Sequence, residues 1–141
     1  GVSGSFIATV VEAEVDAQGE VKVRRVTSAV DTGIAVNPDT VIAQLQGGII
    51  FGLGAALHGD IALKNGRIAQ SNFHDYRVLR MNESPDIQVH LVRSGEAPGG
   101  IGEAGTCAAP PALRNAILAA TGVALRSLPI DRQALASKKR T

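Results

Sequence analysis

The stretch from Asn37 to Leu57 places the strongest constraint on the fold. Asn37-Pro38 is a strong helix start, because asparagine is a good N-cap and proline suits the first helical position. An apolar stripe follows at helical spacing: Val41, Leu45, Ile49, Leu53, Ala56 and Leu57. The same helix contains four glycines: Gly47, Gly48, Gly52 and Gly54. Each costs about 1 kcal/mol relative to alanine, so either another helix crosses very close to this one or a ligand lies against its backbone.

Two alternating runs precede this helix. Hydrophobicity alternates from Ile7 to Val15, a turn is predicted from Asp16 to Glu20, and apolar residues return from Val21 to Val30. The alternation slips near Arg24-Arg25, which predicts a β-bulge in the second run. Together the two runs predict an antiparallel hairpin that ends where Asp31-Thr32-Gly33 breaks the strand.

A short second hairpin is predicted after the helix, around Asn65-Gly66, because this dipeptide is a strong two-residue turn signal. Its strands are Ile61 to Lys64 and Arg67 to Gln70. The polar stretch Ser71 to Ser84 predicts irregular structure, and its candidate anchors are Phe73, Tyr76 and Leu79. A further strand is predicted from Ile87 to Val92.

The C-terminal part of the chain predicts a second helix. Pro110-Pro111 marks its start, Thr121 its end, and Gly122 is a good C-cap. Leu125 to Ile130 predicts a short closing extended segment. The basic residues 133–141 are interpreted as a solvated, disordered tail, so the folded unit is expected to cover residues 1–132.

This order of elements excludes a purely parallel sheet, because it contains hairpins. It predicts an α+β domain of two layers, in which a mixed sheet carries two helices on one face. The chain opens on Gly1 without an initiator methionine and runs almost at once into a strand pattern. We therefore expect a piece of a larger protein, whose remainder covers the other face of the sheet.

A glycine-rich stretch from Ser94 to Cys107 separates the last predicted strand from the second helix. Five of its fourteen residues are glycine, and Glu103 follows Gly102 and precedes Gly105 by two positions. A strand, a glycine loop and a helix in this order allow close approach to a ligand and let one acid project from a rigidly held loop. The alternative interpretation is a flexible surface loop with solvated acids.

Composition narrows the classes of function. The 141 residues are 45% hydrophobic and carry a formal net charge of +1, as expected of one domain without a nucleic-acid footprint. The single cysteine, Cys107, excludes an internal disulfide and a metal cage built of cysteines. No uninterrupted apolar run reaches the roughly 18 residues of a membrane span. The sequence does not distinguish between the cytoplasm and the periplasm of a bacterium as the compartment of this protein.

Other catalytic signatures are missing from the sequence. His58, His74 and His90 share no metal-ligand spacing, and no G-x-S-x-G motif occurs. The stretch Gly99 to Gly105 differs from the dinucleotide fingerprint in spacing, and an acid in a phosphate cradle would repel the ligand. Phosphate binding at Glu103 is therefore discarded.

Two stretches together carry a resemblance to a known family. The first reads Asn37-Pro38-Asp39-Thr40-Val41, then Gln44-Leu45-Gln46-Gly47-Gly48, then Gly52-Leu53 with Ala56-Leu57; the second reads Gly99-Gly100-Ile101-Gly102-Glu103-Ala104-Gly105. They resemble the signature helix and the catalytic-glutamate loop of molybdopterin-binding large subunits in the xanthine dehydrogenase and aldehyde oxidase family. Ser71-Asn72-Phe73-His74-Asp75-Tyr76 is similar to the branch typified by isoquinoline 1-oxidoreductases. The resemblance covers about Gly4 to Ile130.

The resemblance implies that the chain is the C-terminal part of a larger molybdenum hydroxylase subunit. Such an enzyme acts on N-heteroaromatic or aldehyde substrates with water-derived oxygen. Glu103 would be the general base, Gln44 would hydrogen-bond the pterin, and Gly102, Gly47 and Gly48 would line the cofactor.

The implied cofactor is molybdopterin or its cytosine dinucleotide form. The implied partners are the rest of the large subunit and a small [2Fe-2S] subunit, with no nucleic acid and no membrane span. The isolated piece is expected to bind no cofactor and to be inactive.

The sequence departs from the family pattern at three positions. Many relatives have glutamate where this chain has Gln46, proline where it has Ala104, and a small residue or proline where it has Cys107. Gln46 and Cys107 are therefore left out of the predicted site. Two alternatives stay open, a non-catalytic α+β interaction module and an independent domain that binds a small ligand.

Overall fold

A computed structural model of the chain describes residues 4–137. Its strands are β1 (Phe6–Val15), β2 (Val21–Asp31), β3 (Leu63–Lys64), β4 (Arg67–Ile68) and β5 (Asp86–Leu91). Its helices are α1 (Pro38–His58), α2 (Ala104–Thr121), α3 (Arg132–Ser137) and a 3-10 turn at Met81–Glu83. The result is the predicted α+β architecture.

The main sheet has three strands in the order β1-β2-β5. β1 and β2 are antiparallel, whereas β2 and β5 are parallel, so the sheet is mixed as predicted. The register shifts where Glu12 pairs with Arg25 but Ala13 pairs with Val23, which leaves Arg24 as the extra residue. This confirms the predicted bulge, and it turns both Val23 and Val26 into the core.

The long helix α1 begins as the sequence predicts. Asn37 is its N-cap, and the Asn37 side-chain oxygen accepts a hydrogen bond of 3.1 Å from the backbone N–H of Thr40. By length and mean hydropathy, 1.6 over 18 residues, α1 could cross a membrane. One third of that window (33%) is buried, and the buried part includes Leu45, Ile49 and Leu53.

The helices α1 and α2 cross at glycines. A Cβ atom on Gly52 would lie 2.7 Å from the carbonyl oxygen of Thr106, and one on Gly105 would lie 2.7 Å from the carbonyl oxygen of Leu45. Gly48 lies at the same crossing, 3.3 Å from the Thr106 nitrogen by the same construction. Close helix crossing, one of the two reasons expected, therefore accounts for Gly48 and Gly52.

The predicted start of α2 is wrong. The helix begins at Ala104, six residues before Pro110, and both prolines lie inside it. Neither proline can donate the backbone hydrogen bond of that position. The first turns are instead stabilised by packing, since Ala104, Gly105 and Ala109 are buried and Pro110 packs beside Gly52.

Three smaller predictions also need correction. Phe73 is 84% exposed and belongs to neither buried cluster of residues 4–137, whereas Leu79 packs against the core. Residues 125–130 form no strand, although the Ile130 N–H donates to the Ala56 carbonyl oxygen at 2.8 Å. The tail was expected to be disordered from residue 133, but Arg132–Ser137 forms α3, in which Leu135 is buried. The rest of that tail, 138–141, lies outside the described residues.

Other local predictions are confirmed. The Asn65-Gly66 turn joins β3 and β4, both residues having positive φ, and Gly122 ends α2 in the left-handed conformation. Both long helices lie on one face of the sheet, against the buried side chains of Val26 and Val30. The opposite face stays open.

Candidate functional site

Glu103 lies at the junction between the glycine loop and α2. It occupies the N-cap position, with φ −122° and ψ 0°, and its side chain makes no capping hydrogen bond. Its backbone carbonyl accepts the Cys107 N–H at 3.0 Å. The side chain is exposed and forms no ion pair with any residue among 4–137. The backbone of Glu103 is therefore fixed at the positive end of α2, and its carboxylate is free to act on an external group.

Gln44 comes to this junction from the second turn of α1. Its side-chain Nε2 donates a hydrogen bond of 2.7 Å to the carbonyl oxygen of Gly102, the residue before Glu103. Because Gly102 offers a carbonyl, the contact fixes which end of the amide is the nitrogen. Two residues separated by 58 positions are thus joined directly beside Glu103.

The predicted glycines occupy two different environments. A Cβ on Gly102 or Gly47 would meet nothing within 4 Å, so space is open above both residues. Gly48 instead faces α2, and its carbonyl oxygen accepts a hydrogen bond of 3.1 Å from the Thr106 hydroxyl. Packing against α2 therefore explains why position 48 is glycine. Within the described residues, packing does not explain the glycines at positions 47 and 102.

The glycine loop is tied to the end of β2. The backbone N–H of Gly99 donates to the Thr32 carbonyl oxygen at 2.9 Å, and the N–H of Ile34 donates to the Glu96 carbonyl oxygen at 3.1 Å. The Ser94 hydroxyl donates to Asp31 Oδ1 at 2.6 Å. The loop that carries Glu103 is therefore a fastened segment rather than the flexible loop of the alternative interpretation.

Hydrogen bonding shifts the pKa of Asp31. The Ser94 hydroxyl is the main cause and the Gly33 N–H the second, and together they lower the pKa of the carboxyl below its ordinary value. Both donors stabilise the ionised form. Asp31 thus fastens the loop best when it is charged.

Two hydroxyl residues at this site were missed in the sequence. Ser5 and Thr32 are buried, and each hydrogen-bonds to a glycine carbonyl of the loop. These contacts join positions 95 and 67 residues apart, so no local pattern marks them. Their only sequence signal is a small hydroxyl residue immediately outside each paired strand end.

The rest of the described chain offers weaker candidates. A cavity of about 660 Å³ lies between β5 and the start of α1, and its lining includes Ile34 and Leu91 but neither Gln44 nor Glu103. Within residues 4–137, no group of three or more His, Cys, Asp or Glu side chains could hold a metal ion. Burial, and then the charges of Arg77 and Arg132, lower the pKa of His58, which is surrounded by ion pairs away from the loop.

The arrangement at Glu103 suits proton transfer beside a bound polar group. An exposed carboxylate can accept a proton, and the adjacent Gln44 amide has hydrogen-bonding capacity beyond its one bond to Gly102. The open space above Gly102 leaves room for a ligand next to both. These residues lie at the surface of the described chain, so residues 4–137 cover a ligand here on one side only.

Comparison with known proteins agrees with the architecture. The sequence matches the molybdopterin cofactor-binding domain family over residues 2–85. It is 43% identical over 140 residues to the isoquinoline 1-oxidoreductase subunit beta of Brevundimonas diminuta, covering 99% of this chain and 18% of that protein. It is also 37% identical over 112 residues to a membrane-bound aldehyde dehydrogenase of Gluconacetobacter polyoxogenes, named for pyrroloquinoline-quinone, covering 79% of this chain and 14% of that protein.

A solved structure shows the same fold. Superposition on a Cu,Mo-CO dehydrogenase gives a TM-score of 0.84 at 21% identity, covering 96% of this chain and 18% of that one. The chain therefore spans less than a fifth of the proteins to which it is similar, such as 18% of the first relative. The family match covers α1, within residues 2–85, and the 43% identity to subunit beta extends over 99% of the chain and so includes the glutamate loop. The chain belongs to the molybdopterin-binding large subunits of the xanthine dehydrogenase and aldehyde oxidase family.

Proposed function

We propose that this chain supplies one wall of the active site in a molybdenum hydroxylase. Glu103 is the general base, and Gln44 hydrogen-bonds the pterin. The observation that carries the proposal is the 2.7 Å bond from Gln44 to Gly102, because it ties the amide to the residue before Glu103, whose exposed carboxylate forms no ion pair within residues 4–137. In a flexible surface loop nothing would hold these two groups together.

The residues present fit a molybdenum-pterin cofactor. The described residues hold no cluster of metal-ligating side chains, so this chain would bind such a group through hydrogen bonds and backbone contacts. Gln44 would supply donor and acceptor groups to a pterin edge, and the uncrowded backbone of Gly102 and Gly47 would permit close approach. Gly48 would contribute backbone only, from the helix crossing. When bound, the cofactor supplies the redox centre that accepts electrons from the substrate.

The chemical task of Glu103 is to accept a proton. Hydroxylation with water-derived oxygen requires that this oxygen lose a proton as it becomes a nucleophile. A carboxylate within hydrogen-bond reach of it contributes typically about 10²- to 10⁴-fold in rate. The N-cap position fixes the backbone of Glu103, and its side chain is not spent on capping the helix.

The substrate class follows from the relatives. We propose N-heteroaromatic compounds or aldehydes, since one relative is named for isoquinoline and another for an aldehyde. The name of the second relative specifies a quinone cofactor, and the family match over residues 2–85 favours molybdopterin instead. The proposed cofactor is therefore molybdopterin or its cytosine dinucleotide form.

The partners are proposed on the same basis. The remainder of the large subunit would complete the cofactor surface, because Gln44 and Glu103 lie exposed at the edge of this chain. Electrons would leave through iron–sulfur clusters of a small [2Fe-2S] subunit, since one cysteine cannot hold such a cluster here. By itself this piece would be inactive, because half a site neither positions substrate nor excludes water.

The test is to measure hydroxylation by the full-length subunit, assembled with its partner, carrying Glu103→Gln. We expect turnover to fall by about 10²- to 10⁴-fold at unchanged molybdenum content, because the substitution keeps the shape and removes the base. The matched control is Glu96→Gln, since Glu96 is an exposed acid of the same loop. Turnover of Glu103→Gln near the parent's rate would refute the proposal and leave the loop a structural element.

A further inference from the structure

We propose that Ser5 and Thr32 form a hydroxyl clamp that positions Glu103. The inference rests on the proposed function, in which Glu103 is the base. Ser5 immediately precedes β1 and Thr32 immediately follows β2. The antiparallel register pairs Phe6 with Asp31, so its continuation sets Ser5 opposite Thr32. The two hydroxyls thus meet at the end of the sheet that faces the glycine loop.

Each hydroxyl of the clamp takes one loop carbonyl. Ser5 Oγ lies 2.7 Å from the carbonyl oxygen of Gly100, and Thr32 Oγ1 lies 3.0 Å from that of Gly99. The two hydroxyl oxygens are 3.2 Å apart. Each hydroxyl has a single hydrogen to donate. Because the distances to the carbonyl oxygens are shorter than the distance between the hydroxyls, each hydroxyl donates to its carbonyl, and the two hydroxyl oxygens lie in contact with each other.

The clamp is a buried site that tolerates little displacement. Ser5 is 1% exposed and Thr32 is 5% exposed, so both hydroxyls are buried where they meet the loop. A Cβ on Gly99 would lie 2.5 Å from Ser5 Oγ and 2.9 Å from the Gly4 carbonyl oxygen. The loop therefore lies directly on the clamp, and Gly99 is glycine because of this contact.

The clamp acts on Glu103 through the short connection between two fixed points. On one side Gly99 and Gly100 are held by the clamp. On the other side α2 begins at Ala104, which is fully buried against α1. Only three residues lie between, and Gln44 holds the carbonyl of one of them, Gly102. Loss of the clamp would let the carboxylate of Glu103 move relative to the bound reactant.

The test compares variants of the full-length subunit in the assembled holoenzyme. Thr32→Val and the double variant Ser5→Ala/Thr32→Val remove the hydroxyls at nearly constant volume. Thr32→Ser keeps the hydroxyl and should therefore retain the activity that Thr32→Val loses. The matched control is Thr9→Val, because Thr9 and Ser28 form a second hydroxyl pair, 2.9 Å apart, at a register position within β1 and β2 rather than at their loop end.

We expect the double variant to lose about 10- to 100-fold in kcat, because a displacement of the order of 1 Å costs that much. KM and molybdenum content should stay within about twofold of the parent, since the clamp contacts neither substrate nor cofactor in this proposal. Thr32→Ser and Thr9→Val should keep the parental kcat. Amide hydrogen exchange, followed by mass spectrometry, should accelerate over residues 99–103 in Thr32→Val and not in Thr9→Val.

Two results would overturn the clamp. One is unchanged kcat in the double variant, whether or not exchange over the loop accelerates. The other is loss of molybdenum in step with activity, because the hydroxyls would then serve assembly rather than positioning. Glu103→Gln, measured in parallel, separates this inference from the proposed function. If Glu103→Gln abolishes turnover and the clamp variants do not reduce it, only the clamp is wrong; if Glu103→Gln keeps turnover, the proposed base itself is wrong.

Discussion

Replacement of Gly105 by alanine tests the helix crossing beneath the candidate site. The new Cβ would lie 2.7 Å from the Leu45 carbonyl oxygen and 3.0 Å from the Ile49 nitrogen, and both atoms belong to the backbone of α1. Ordinary contacts need about 3.5 Å or more, so the helices must separate by roughly 0.5–1 Å. Overpacking of this kind costs about 1–3 kcal/mol. The helix-propensity gain of alanine, at most about 1 kcal/mol, offsets part of it.

Urea unfolding of the 141-residue chain measures this change. Circular dichroism at 222 nm is the suitable signal, because the chain has no tryptophan. For a net loss of about 2 kcal/mol and an m-value of about 2 kcal/mol/M, the midpoint falls by about 1 M. The matched control is Gly47→Ala, whose Cβ would meet nothing within 4 Å and which should gain up to about 1 kcal/mol. A Gly105→Ala chain as stable as the Gly47→Ala chain would refute the close crossing.

Two further changes test the fastening of the loop and the start of α1. Asp31→Asn should destabilise the chain at neutral pH. The pKa of Asp31 in the folded chain lies below its ordinary 3.8, so the ionised carboxylate stabilises the fold above pH 3.8. This stabilisation is lost as the pH falls through the lowered pKa. Urea midpoints between pH 2 and 7 should therefore fall less steeply in Asp31→Asn than in the parent, and equal slopes would contradict this. Asn37→Ala should cost about 1 kcal/mol through loss of the cap to Thr40, whereas an unchanged midpoint would show that the cap contributes nothing.

The parts of the fold that the sequence predicted correctly depend on neighbouring residues. The cap at Asn37, the turn at Asn65-Gly66 and the bulge at Arg24 each have a local cause, either in backbone conformation or in the alternation of side chains. The start of α2 could not be predicted in this way. Pro110-Pro111 is the strongest local helix-start signal there, and only burial against α1 shows why the helix begins at Ala104.

The candidate site likewise combines residues that the sequence indicated with contacts that only the tertiary structure shows. Resemblance indicated Gln44 and Glu103 individually, but the hydrogen bond from Gln44 to Gly102 joins residues 58 positions apart and depends on how α1 and α2 cross. The hydroxyls of Ser5 and Thr32 could not be predicted, since their contacts with the loop depend on the register of β1 and β2. Sequence patterns therefore predicted the acid and its loop, and the tertiary structure shows the contacts that hold the loop.

The two glycines that flank Glu103 have opposite environments, and this contrast explains the motif. Gly105 is closed in, because any side chain there would collide with the backbone of α1. Gly102 is open, because a side chain there would meet nothing within 4 Å. The closed glycine fixes the N-terminus of α2 against α1, and the open glycine leaves space beside the carboxylate. The motif places Glu103 between a glycine that packs against α1 and a glycine that faces open space. The start of α2 is thereby fixed, and the carboxylate of Glu103 remains accessible to a ligand.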